Sequence, residues 1–140
     1  MKRSGWEHYP HTADMGIRGF GATKEEAFAQ AAFAMIAVSV DLKTIRHQQQ
    51  VEIVCEADDD ELLFIAWLNG IIYEMATLKM LFSKFEVIIS GKRLTGRAFG
   101  EKLDSGRHRP AVEIKGATYS DLKVRCDKDG TWVAQCVVDI

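Results

Sequence analysis

Leu81-Phe82-Ser83-Lys84-Phe85-Glu86-Val87-Ile88-Ile89-Ser90-Gly91-Lys92-Arg93-Leu94-Thr95-Gly96-Arg97-Ala98-Phe99 decides the fold class. Residues 81–89 and 92–99 are two strand-forming runs, and Ser90-Gly91 between them is a hairpin-type pair of turn residues. Strands joined so tightly pair antiparallel. The C-terminal part of the chain continues in kind. Residues 111–115, 119–126 and 131–138 read as strands, with Asp127-Lys128-Asp129-Gly130 turning between the last two. Residues 101–110, polar and holding Gly106, read as the longest loop.

Upstream the pattern is mixed. Residues 6–9 form a short strand closed by Pro10, and residues 15–20 a second one, interrupted by Gly16 and Gly19. Thr23-Lys24-Glu25-Glu26 is a capping box, and Phe28, Ala31, Ala32 and Met35 then recur at helical spacing. This predicts a helix over 23–38. Residues 51–55 alternate as a strand. Asp58-Asp59-Asp60-Glu61 opens a second helix, with Asp58 as its cap and the acidic run where the helix dipole favours anions. Residues 62–75 are apolar on most sides, which predicts a buried helix, with Gly70 allowing a close approach. The order is β-β-α-β-α-β-β-β-β-β. It describes an α+β fold: two helices on one mostly antiparallel or mixed sheet system. Without repeat or linker, residues 1–140 form a single domain.

Composition narrows the function classes. A formal net charge of -2 lacks the basic footprint of a protein that grips nucleic acid by itself. The apolar run at 62–68 is far short of the ~20 residues that cross a bilayer, and no signal-peptide core follows the N-terminus. The three cysteines, Cys55, Cys126 and Cys136, form no CxxC motif and no complete disulfide set. Reduced thiols and a cytoplasmic location are expected, although Cys126 and Cys136 could face each other across a hairpin.

Carboxylates are the main candidates for chemistry. His11-Thr12-Ala13-Asp14-Met15-Gly16 places Asp14 in a small-residue loop, and the strand at 131–138 delivers Asp139 beside the terminal carboxylate of Ile140. If the two ends meet, three carboxylates converge on a hard-cation site. Taken singly, Asp14 reads equally as an Asx turn and Asp139 as a solvated end. His11 is three residues from Asp14, but zinc would need more nitrogen or sulfur ligands. His108, between Arg107 and Arg109, reads as a solvated basic tip, with phosphate contact as the sharper alternative. Lys115 is either an outward lysine beside Glu113 or a cation offered to an anionic group. No nucleophile elbow and no phosphate-cradling glycine loop is present, so a stand-alone enzyme is not indicated.

The stretches at 11–16, 23–28 and 31–35 resemble the opening of the archease family. So do Arg107-His108 leading to Val112-Glu113-Ile114-Lys115-Gly116-Ala117-Thr118-Tyr119, and the ending Trp132-Val133-Ala134-Gln135 to Asp139-Ile140. The resemblance spans essentially the whole chain. It implies a small cytoplasmic accessory protein, not an enzyme. Such a protein promotes guanylylation and turnover of an RtcB-type RNA ligase in tRNA splicing. RNA is then met only through the ligase, and no membrane is involved. The family's metal positions fall on Asp14, Asp139 and Ile140, with calcium as the expected ion and magnesium or manganese as alternatives. Lys115 is a further functional candidate and His11 a secondary one. Two other classes stay open: a stand-alone metal-dependent hydrolase, and a metal-independent chaperone-like binder.

Overall fold

The hairpin at the centre of the chain forms as its sequence predicts. In a computed structural model describing residues 2–140, β4 (Met80–Ser90) and β5 (Arg93–Lys102) pair antiparallel from Ser90↔Arg93 outward. Gly91 makes the turn at φ +60°, a conformation that suits glycine. A bulge between Phe82 and Lys84 interrupts the ladder. Strand β3 (Gln49–Glu56) pairs with the other edge of β5, giving a three-stranded sheet in the order β3-β5-β4.

The remaining strands build a second sheet. β1 (Gly5–His11), β2 (Asp14–Gly21) and β8 (Trp132–Asp139) are consecutive antiparallel neighbours. Two short strands share the far edge of β8: β7 (Lys123–Cys126) along its first half and β6 (Gly116–Ala117) at its end. The expected single sheet system is thus two sheets, and the strand count and antiparallel pairing stand as read. Residues 111–115 do not form a strand, and pairing on the 119–126 side is confined to Lys123–Cys126. Asp121, at φ +55°, turns the chain before that strand.

Helix α1 (Lys24–Ala37) lies against β2 and β8 of one sheet and β4 of the other, so it joins the two. Thr23 caps it by accepting from the Glu26 amide at 3.1 Å. Glu26 reaches back to the amide of Ala22 at 3.0 Å, one residue earlier than the ordinary box. Gly19 permits the packing: a Cβ there would stand 2.3 Å from the Ala27 carbonyl oxygen of α1. Helix α2 (Asp60–Leu78) is capped by Asp59, not Asp58; the Asp59 carboxylate accepts from Leu62 at 2.8 Å.

At 19 residues α2 is long and apolar enough by composition to cross a membrane, more than the 62–68 run alone indicates. Its apolar side chains are used within the fold instead: Leu63, Phe64, Trp67, Leu68 and Ile71 are buried. Trp67 packs edge-on against Phe85 and donates its indole N–H to the Phe28 carbonyl of α1. Gly70 faces β3, where a Cβ would lie 2.9 Å from Ile53. The second half of α2 departs from the buried helix expected: Tyr73, Ala76 and Thr77 are exposed.

The cysteines are free. The β7–β8 register sets Cys126 opposite Trp132 and ends at Lys123↔Gln135, so Cys126 and Cys136 are not cross-strand neighbours. Cys126 is exposed, while burial pushes the Cys136 thiol up to about 12.

Candidate functional site

The β1–β2 connection is a tight hairpin in which His11 pairs with Asp14 and Thr12 takes a left-handed turn at φ +48°. Strand β2 then runs antiparallel to β8, in register from Gly21↔Trp132 to Met15↔Val138. One further step along the same register sets Asp14 opposite Asp139. Paired residues in adjacent strands point to the same face. In β8, Ala134, Cys136 and Val138 belong to the hydrophobic core, so Asp139 projects from the opposite face. Asp14 is half-buried and Asp139 exposed.

Lys115 arrives from the other side. Its amide donates to the Asp139 carbonyl at 2.8 Å, and Gly116 pairs with Asp139 in the β6–β8 ladder. Its side chain is exposed. Ile140 packs against the core, which ties the end of β8 down. The fold therefore gathers Asp14, Asp139, Ile140 and the Lys115 backbone at one end of one sheet, with His11 in the neighbouring strand.

The assembly falls short of a complete metal centre. Among the described residues, no three His, Cys, Asp or Glu side chains come close enough together to hold an ion. His11 does not join the two aspartates in such a set. Oxygen donors of this kind suit a hard cation, whose shell takes about six to eight oxygens. Two aspartates with a main-chain oxygen of Ile140 would supply part of one.

A support beside this end is absent from the sequence reading. Tyr9 lies flat across Gly16, where a Cβ would meet its ring at 2.3 Å. The Arg18 guanidinium stacks on that ring, 4.4 Å from its centre. The Tyr9 hydroxyl donates to Asp121 at 2.8 Å, and Gln135 donates to the Asp121 carbonyl at 3.2 Å. Burial and this bond both raise the phenol pKa above its ordinary value. Thr118 is fixed to the Val137 carbonyl through both its amide and its hydroxyl. The segment from Lys115 to Asp121 is thus fastened along the end of β8. The glycine in the HTADMG stretch is the sequence trace of this arrangement, since it leaves room for the ring.

In the basic tip at 107–109 only Arg109 is exposed as expected; Arg107 is half-buried and His108 buried. Residues Ser105–His108 form a single helical turn, α3, capped by Asp104. His108 is buried, and its Nε2 lies 2.9 Å from the Glu101 carboxylate. The Asp104 amide donates to His108 Nδ1, so Nε2 carries the proton given to Glu101. Arg107 reaches the other Glu101 oxygen at 2.7 Å, and the Arg46 amide donates to the same carboxylate. The Arg107 guanidinium is the main reason that Glu101 is held down to about 2. With His108 committed here, it is not available for the phosphate contact considered from sequence. The alternation of β5 extending to Lys102 is the one signal for this pairing, and the polar composition of 101–110 masks it.

Comparison with known proteins bears on the whole chain. A sequence profile described as the Archease protein family matches residues 6–140. A curated protein archease from Pyrococcus furiosus is 42% identical over 139 residues, covering 96% of this chain and 98% of its own length. One from Pyrococcus abyssi is 41% identical and covers both chains fully, at 100%. The solution structure of protein 1598 from Methanobacterium thermoautotrophicum superposes with a TM-score of 0.83 at 30% identity, covering 97% of this chain and 99% of that one. The crystal structure of an archease from Thermotoga maritima, described as a possible chaperone, superposes at 0.62 with 21% identity, covers 94% of each chain, and speaks to the fold alone.

Proposed function

This chain belongs to the archease family, and from that premise we propose that it is an accessory protein promoting guanylylation and turnover of an RtcB-type RNA ligase. The observation that carries this reading is the β2–β8 register, which sets Asp14 and Asp139 against each other on the face away from the core. Asp14, Asp139 and oxygens of Ile140 hold a divalent ion, calcium first, in a shell that the ligase completes. A bound ion there supplies positive charge that offsets phosphate charge in nucleotidyl transfer. Lys115, exposed beside Asp139, offers its ammonium to a phosphate or to a carboxylate of the ligase. The Tyr9–Asp121 bond keeps the Lys115 segment in place against β8.

The test is single-turnover guanylylation of a ligase from the same genome, with Asp14→Ala and Asp139→Ala compared with the parent protein. Loss of stimulation is expected in both, with the fold intact. Full stimulation by both variants overturns the reading.

A second reading is favoured by one observation. The exposed apolar side chains Tyr73 and Leu103 lie on and beside the far half of α2, as a metal-independent chaperone-like binder would require. Deleting Ile140 separates the two. The metal reading expects lost stimulation, and the binder reading expects little change.

A further inference from the structure

Between the second half of α2, the start of β4 and the segment 110–114 lies an open groove of about 580 Å³. Its walls are apolar: Ile72, Met75, Met80, Leu81, Val112 and Ile114. Its far wall is pinned rather than loose. The Ala111 amide donates to the Ser39 carbonyl at 2.8 Å, and the Ser39 hydroxyl donates to the Val112 carbonyl. A preformed wall spares an incoming chain part of the ordering cost. Methionines suit such a surface, because their flexible thioethers adapt to a partner's shape.

Lys79 at the groove's edge says what kind of partner it takes. It is the C-cap of α2 and sits in the left-handed region at φ 55°, ψ 51°, where glycine is the usual residue. A lysine kept at such a position costs stability, and its charge is not needed to neutralise the helix end. Lys102 already does that, donating to the Leu78 carbonyl at 2.7 Å. Among the described residues, Lys79 forms no ion pair and neither does Glu113 on the opposite wall. The groove therefore has an apolar floor, a free cation on one side and a free carboxylate on the other. The segment forming its far wall continues from Ile114 into Lys115, whose amide donates to the Asp139 carbonyl.

We propose that this groove docks a short amphipathic protein segment of the ligase, with bulky apolar side chains on its floor and an acidic residue opposite Lys79. A basic residue opposite Glu113 sets its direction. This rests on the accessory reading above and adds to it the surface that binds the partner. The groove supplies affinity and register, while Asp14 and Asp139 act at the end of the other sheet.

Binding of the full-length protein to a purified ligase from the same genome is measured by calorimetry, alongside stimulation of guanylylation. Ala76→Arg and Leu103→Asp, both at exposed positions in the groove's lining, are expected to weaken binding by at least about tenfold. Lys79→Gly is expected to weaken it by about threefold while raising the thermal midpoint, since glycine relieves the backbone. Asp139→Ala is expected to bind normally and stimulate poorly. Equal binding by Ala76→Arg, Leu103→Asp and the parent overturns the groove while leaving the accessory reading in place. A parent protein that neither binds nor stimulates the ligase overturns both. A self-association lost in Ala76→Arg, or equal capture of an unrelated reduced and unfolded protein, overturns the assignment of the occupant.

Discussion

Glu101, near the end of β5, meets His108 of the helical turn that follows at 2.9 Å, with Arg107 on the second carboxylate oxygen. The carboxyl is held from an ordinary 4.5 down to about 2, first by the Arg107 hydrogen bond and against the opposing effect of burial. A group whose folded value is depressed stabilises the fold above its unfolded value, and the contribution is lost as pH falls through the folded one. Stability from Glu101 is therefore complete above about 4.5 and declines toward 2. Urea midpoints measured from pH 7 to pH 2 are expected to fall across that window in the parent. In Glu101→Gln they start lower at pH 7 and fall less.

Trp67 tests how the helices are locked. Its indole N–H is bonded to the Phe28 carbonyl at 3.1 Å, and its ring lies in contact with Gly96, where a Cβ would meet it at 2.3 Å. Trp67→Phe removes the bond and some volume, for an expected loss of about 1–3 kcal/mol. Trp67→Ala is expected to lose about 3–5 kcal/mol. Equilibrium unfolding in urea gives both numbers. Equal losses for the two would mean that ring packing contributes little at this position.

Thiol labelling should separate the cysteines by burial. Cys126 is exposed, whereas Cys136 is buried and its thiol is pushed up to about 12. Iodoacetamide at pH 8 is expected to modify Cys126 first in the folded protein, and Cys136 only after denaturation. Mass spectrometry of the digested protein reads the order directly.

The parts of the fold legible in the sequence are those set by local rules. Thr23 and Glu26 announce α1, and Ser90-Gly91 announces the β4–β5 hairpin, because caps and turns are satisfied by near neighbours. The division into two sheets is not legible. It depends on which strands α1 covers, a matter of packing across the molecule. Residues 111–115 alternate like a strand, yet they are held by Ser39 and Asp139 rather than by a ladder.

At the candidate site, the sequence raises the convergence of Asp14 with Asp139, and the β2–β8 register carries both to the same end of one sheet. Tyr9, Asp121 and Glu101 escape a sequence reading. Each matters through a partner distant in sequence or hidden in a polar loop: Tyr9 and Asp121 are 112 residues apart. His108 misleads for a related reason. Flanking arginines suggest solvent, but burial is decided by the carboxylate seven residues earlier.

The position of β8 between β2 and the β6–β7 edge also governs the order in which the molecule assembles. The β4–β5 hairpin closes a short loop, whereas β2 must find a strand more than a hundred residues away. Distant pairings form late, because loop-closure entropy is lost before any contact offsets it. Asp14 and Asp139 face each other only across that late pairing. A half-folded chain has not yet brought these two carboxylates together, and their juxtaposition arises in the same step that completes the protein.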